Sequence, residues 1–312
     1  MKIGFLFPGQ GAQEVGMGKD LYENYEEARE IYDRVSEITG MDIKRISFEG
    51  PEDILNQTQN TQLAVLTESL AIVAVLRKHN IQPEISAGLS LGEYTALIED
   101  GIFNFEDGVK LVQKRGKIMQ NLIPKGNWKM AAVLGLEAKK VEEACKKING
   151  FVVPSNYNTI GQTVISGEEE YVVQAGEIAK EAGARKISVL NTSGPFHTSK
   201  LEECSKALEE ELKKVTINRK QSKVVKNIDG KRYEKTDDVA EILSKHIMNP
   251  VRFSWDLQEM YDNGIDTFIE IRPRRSFSGF VKRMNFENPV QIKTINSIET
   301  LEEVIKEVTE NE

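Results

Sequence analysis

Histidine and cysteine are scarce in this sequence: three histidines and two cysteines among 312 residues. Cys145 and Cys204 both lie in charged, helix-like segments, which excludes a disulfide framework and a cysteine-bound metal cluster. Positive charge is also in deficit. The formal net charge of −8 argues against nucleic acid as a partner, because phosphate binding needs a basic face. Long apolar runs are missing too. The longest, around Leu70–Leu76, is far too short to span a membrane. The opening MKIGFLFPG has one lysine, and Pro8 and Gly9 cut its apolar run short, so it reads as a buried strand rather than a signal peptide. A cytoplasmic protein with no membrane attachment is expected. The 39% hydrophobic and 29% charged residues suit a soluble chain with a substantial core.

The pattern along the chain predicts an α/β fold. Residues 2–7 read as a strand, followed by a glycine-rich turn and charged helical segments to about residue 47. Residues 62–78, QLAVLTESLAIVAVLRK, are apolar on nearly every face, as in a helix buried within a layered structure. A strand at 85–88 then runs into another helix, and FEDGVKLVQKRGKIMQNL is amphipathic. Strands alternating with helices at this spacing imply a mainly parallel sheet. From Lys129 the order becomes β-α-β-β-α-β, the ferredoxin-like arrangement. The expected organisation is a hydrolase-like large domain, discontinuous over 1–126 and 193–312, with a small ferredoxin-like domain inserted at 127–192. A cleft is expected between the two. TFIEI and VQIKTI are the clearest late strands.

Residues 88–92, GLSLG, fit G-x-S-x-G, with a strand before and a helix after, the context that a nucleophile elbow requires. Ser90 is the candidate nucleophile, and the Leu91 amide at the helix start is placed to stabilise an oxyanion. A serine hydroxyl needs a base within hydrogen-bond reach. His79 ends a helix beside Arg77 and Lys78, where a charge interacting with the helix dipole is the simpler role. His246 lies in a helical segment, where a structural role is the default. His197, in the loop SGPFHTS that leads out of the expected insertion, is the candidate base. No acidic residue declares itself as a third triad member; a backbone carbonyl could orient the imidazole instead.

Six segments together resemble the malonyl-CoA:acyl carrier protein transacylases of the acyltransferase family. They are FPGQGAQ at 7–13, GLSLGEYTAL at 88–97, QKRGKIMQ at 113–120, NYNTIGQTVISG at 156–167, GPFH at 194–197 and NPVRF at 249–253. The resemblance covers essentially the whole chain. It implies that Ser90 attacks a malonyl thioester, that His197 relays the proton, and that Gln10 builds the oxyanion hole with the Leu91 amide. Gly9-Gln10-Gly11 is then not a dinucleotide loop; Glu14 in any case occupies the third glycine position of GxGxxG. Arg115 matches the arginine that holds the malonyl carboxylate, and a planar guanidinium can grip a carboxylate through two parallel bonds. On its residues alone, KRGK reads rather as a solvated helix end. Phe196 would restrict room near the α-carbon, and Asn156 and Asn158 would line the cleft. The resemblance also implies malonyl-CoA as substrate, coenzyme A as product, no permanently bound cofactor, and acyl carrier protein as partner.

The chain departs from the family pattern at several places. Leu89 stands where a histidine usually precedes the nucleophile. His246 stands where glutamine is usual, at a position whose backbone carbonyl orients the catalytic histidine. Arg272, Arg274 and Arg275 replace a glycine-containing turn after a late strand. Arg185 and Lys186 are the first candidates for docking coenzyme A phosphates or the carrier; Arg272–Arg275 and Lys282–Arg283 are second. A serine hydrolase or thioesterase on a related core, and a non-catalytic module that binds the carrier, are the alternative readings.

Overall fold

A computed structural model describes residues 1–190, 194–271 and 276–310. Arg272, Arg274 and Arg275, and the expected domain boundary at 192/193, lie outside the described residues. The apolar strands β1 (Ile3–Phe7), β2 (Ile85–Gly88), β7 (Thr267–Ile271) and β8 (Gln291–Ile295) form one sheet in the order β2-β1-β7-β8. Every pairing in it is parallel. β1, β2 and β7 are buried along their whole length, as expected where helices cover both faces of a parallel sheet.

The helix Thr58–Lys78 has 17 of its 21 residues buried, so the run without a polar face marks the centre of the molecule. It packs against the helices Glu26–Thr39 and Phe105–Asn121. Each leucine it hides, such as Leu63 or Leu66, contributes about 1.5–3 kcal/mol. The same helix buries Gln62 completely, and a buried amide needs partners.

The second sheet lies wholly within residues 128–190. Its strands are β3 (Trp128–Leu134), β4 (Val152–Thr159), β5 (Gln162–Glu168) and β6 (Lys186–Leu190), in the antiparallel order β4-β5-β3-β6. The helices Ala138–Lys146 and Glu169–Glu181 supply the two crossovers, giving the ferredoxin-like arrangement that the sequence predicts. These elements enclose a core of their own, around Val133, Val141, Ile165 and Val172. β4 is also stitched to the body: Val251 N–H donates to Ser155 O (2.9 Å) and Tyr157 N–H to Val251 O (2.7 Å). Both cysteines are buried and unpaired. Among the described residues no helix is long and apolar enough to cross a membrane.

Candidate active site

Ser90 sits beyond the carboxyl end of β2, where open parallel sheets place their ligand crevices. Its backbone is at φ 57°, ψ −98°, a conformation that costs a non-glycine residue about 1–3 kcal/mol and turns its side chain out at the start of the helix Leu91–Glu99. The glycines around it allow the turn to close. A Cβ on Gly88 would lie 1.9 Å from the carbonyl carbon of Gly92, so strand and helix could not approach as they do. Gly92 and Glu93 donate their amides to the Leu89 and Ser90 carbonyls. The Leu91 amide, the first of the helix, has no acceptor among the described residues.

Two side chains from distant parts of the chain converge on the hydroxyl. His197 Nε2 lies 2.8 Å from Ser90 Oγ, and Arg115 Nη2 donates to the same oxygen at 3.0 Å. His197 Nδ1 is 3.2 Å from each of two carbonyl oxygens, those of His246 and Asn249. Two acceptors at Nδ1 require the proton there, which leaves Nε2 as the acceptor for the serine proton. Among the described residues no carboxylate stands behind the imidazole; the pair of carbonyls takes its place. His197 is also held at positive φ, 58°.

Burial, aided by the nearby His246 and Arg115, holds the His197 imidazole well below its usual 6.5, so it is neutral at neutral pH and ready to act as a base. Protonation would remove the acceptor. The acylation rate of Ser90 should therefore stay level as pH falls through 6.5 and drop only below it. A single-turnover rate profile checks this; an acid limb centred at or above 6.5 would contradict it.

Arg115 is 1% exposed, the largest of the fully buried side chains. Nη1 donates to Gln62 Oε1 at 2.8 Å, and the guanidinium lies over the Tyr94 ring, 4.9 Å from its centre. Burial pushes the Tyr94 phenol up to about 12, so the ring offers a π face and no charge. Among the described residues no carboxylate pairs with Arg115, and its Nε has no partner at all. A buried cation in that state costs several kcal/mol, which an arriving anion would offset. The solvated-helix-end reading of KRGK is thus overturned: Arg115 lies on the inward stripe with Leu111, Val112 and Met119.

The PGQG turn packs directly on the elbow; a Cβ on Gly9 would come within 2.5 Å of Leu89 O. Gln10 is half-buried there, with its side-chain amide donating to Thr58 Oγ1 at 3.3 Å. Phe196 is buried beside the imidazole. Asn156 and Asn158 are buried on β4, beside the stitch to Val251, and no hydrogen bond joins either to Ser90 or His197 among the described residues. Leu89 packs against the apolar cluster containing Leu6 and Phe253. His246 is buried, its ring 4.9 Å from that of His197 and its Nδ1 3.2 Å from Glu93 Oε2. That approach is out of line for a hydrogen bond. Arg185 and Lys186 are exposed at the start of β6, and four strand steps, about 13 Å, separate Lys186 from the end that leads to His197.

The profile of the acyl transferase domain matches residues 4–310. The chain belongs to the acyl transferase domain family. Among its relatives in this family, the malonyl CoA-acyl carrier protein transacylase of Bacillus subtilis is 36% identical over 314 residues, covering 99% of each chain. The crystal structure of the malonyl CoA-acyl carrier protein transacylase of Clostridium perfringens superposes with a TM-score of 0.93 at 43% identity, over 100% of this chain and 98% of that one. A malonyl-transacylase in complex with its type II PKS acyl-carrier protein gives a TM-score of 0.92 at 32% identity, over 98% of this chain and 100% of that one. The acyl transferase likeness therefore runs through both sheets.

Gln62 and Asn249 escape a reading of the sequence. Gln62 left a trace, as a polar residue inside an apolar helix. Asn249 acts through its backbone carbonyl, which no side-chain pattern reveals.

Proposed function

We propose that this protein transfers a malonyl group from malonyl-CoA to the phosphopantetheine thiol of acyl carrier protein, through an ester on Ser90. The observation that carries this reading is the buried Arg115 guanidinium, 3.0 Å from the serine oxygen and without a carboxylate partner among the described residues. An acyl group that ends in a carboxylate completes that site, whereas an acetyl group leaves it open. The relatives named as malonyl transacylases support the same choice.

In the first step Ser90 Oγ attacks the thioester carbonyl as His197 Nε2 takes its proton. The Leu91 amide and the Gln10 turn stabilise the oxyanion, and coenzyme A departs with the proton. In the second step the carrier's thiol gives its proton to His197, attacks the ester and restores the hydroxyl. Phe196 limits the room at the α-carbon, and Asn156 and Asn158 border the cleft. No cofactor takes part in this scheme. Residues 127–192 act in it as an inserted domain that closes one side of the cleft, with 1–126 and 193–312 as the body. The separate core of the antiparallel sheet supports that division. Arg185 and Lys186 serve, if they dock the carrier, at a distance from the reacting atoms.

Intact-protein mass spectrometry after brief exposure to malonyl-CoA should show one malonyl adduct, absent in Ser90→Ala and discharged by holo acyl carrier protein. An adduct lost equally fast without the carrier would make the protein a hydrolase. No adduct would leave a non-catalytic binding module.

A further inference from the structure

The backbone amide of the strained Ser90 is itself held by a side chain. It donates to Asn227 Oδ1 at 2.8 Å. Asn227 is fully buried, and its amide nitrogen donates in turn to Gly88 O (2.8 Å), the last residue of β2, and to Asp256 Oδ2 (2.6 Å). Both ends of one planar amide thus grip the elbow, one at the end of the strand and one at the strained residue.

The fold explains how Asn227 reaches this place. Ser86 N–H donates to Lys223 O and Val225 N–H to Ser86 O, so residues 223–225 run parallel beside β2. Continuing in that register brings residue 227 level with the elbow. Its backbone is fixed as well: Arg252 N–H donates to Asn227 O at 2.8 Å, just before the helix Phe253–Asp262 that carries Asp256. Asp256 is fully buried, meets no cation among the described residues, and its Oδ1 has no partner. Burial and the nearby Glu93 push its carboxyl well above the usual carboxylate range. A carboxyl in these surroundings serves as a hydrogen-bond acceptor that fixes which way the Asn227 amide faces: nitrogen toward Gly88 and Asp256, oxygen toward the Ser90 amide.

We infer that Asn227, oriented by Asp256, is a positioning pair that locks the nucleophile elbow in its strained form and so aims the Ser90 hydroxyl at His197 and at the acyl carbonyl. Neither residue touches the reacting atoms. The inference rests on Ser90 being the attacking group, as proposed above, but not on the identity of the acyl donor.

Two rates test it: labelling of Ser90 by a fluorophosphonate, which needs no malonyl-CoA, and acylation by malonyl-CoA in a single turnover. Asn227→Ala should slow both about 100-fold, the scale expected for a misplaced reacting atom. The half-saturating malonyl-CoA concentration and the pH at which the rate halves should not move, because Arg115 and His197 keep their surroundings. Asp256→Ala should slow both by about 10-fold, and Asp256→Asn, which keeps an acceptor oxygen, should regain most of that loss. A folded Asn227→Ala variant with rates within a few-fold of the unchanged protein would overturn the inference, as would a loss expressed only as weaker malonyl-CoA binding. If Asn227→Ala does not fold, the Asp256 pair of variants decides by the same criteria. Failure of both alanine variants to fold would assign the pair to the scaffold and overturn the inference. If the unchanged protein resists fluorophosphonate, the role of Ser90 falls instead; if it is labelled yet takes no malonyl group, only the proposed donor falls.

Discussion

Replacing His197 with asparagine should slow acylation of Ser90 by malonyl-CoA roughly 100- to 10,000-fold, the usual contribution of a positioned general base. Asparagine suits the test because it tolerates positive φ, and His197 is held at 58°. An alanine there would mix backbone strain with the loss of the base. The variant keeps the elbow, the Leu91 amide and Arg115, so the residual rate should stay above that of free serine. It should also lose its dependence on acid pH, since the group that titrates is gone. A fall of less than about ten-fold, with the fold intact by circular dichroism, would mean that another group takes the serine proton.

The second large effect concerns selectivity. Arg115→Ala should cost malonyl transfer about 2–4 kcal/mol, the lower part of the range for truncating one partner of a buried, hydrogen-bonded charge pair. That corresponds to roughly 30- to 1,000-fold in kcat/KM. Acetyl transfer should fall much less, because an acetyl group offers the guanidinium nothing to hold; its loss reflects only the bond from Arg115 to Ser90 Oγ. Arg115→Lys should recover little of the malonyl rate, since a single ammonium cannot serve Gln62 and a carboxylate with the same fork of donors. Equal losses with malonyl-CoA and acetyl-CoA would remove Arg115 from substrate selection.

The elbow was legible because its chemistry is local. Gly88, Ser90 and Gly92 follow one another, and the strand and helix that flank them can be read from the same fourteen or so residues. His197 was legible by elimination, since so few histidines are present. Arg115 is the instructive case. Beside Lys114 and Lys117 it looks like part of a solvated turn, yet it shares the helical stripe of Leu111, Val112 and Met119, and the structure buries it. A charge on an apolar stripe is a visible signal of a buried ionic site. The ferredoxin-like order was readable because each of its strands is short and separately bounded. Asn227 and Asp256 were not, because their meeting with Ser90 depends on a segment pairing beside β2 and on where the helix Phe253–Asp262 lands. Nothing near either residue in the sequence encodes that encounter.

The two carbonyl oxygens behind His197 set the range of bonds that this centre can break. Neutral dipoles stabilise an imidazolium less than a buried carboxylate would, so the base is a mild one. That suffices where the departing group is a thiolate, whose parent thiol loses its proton near pH 8.5. A leaving group of that acidity departs readily from the tetrahedral intermediate, so a mild base is matched to thioesters. The choice of dipole over charge leaves the crevice matched to activated acyl compounds.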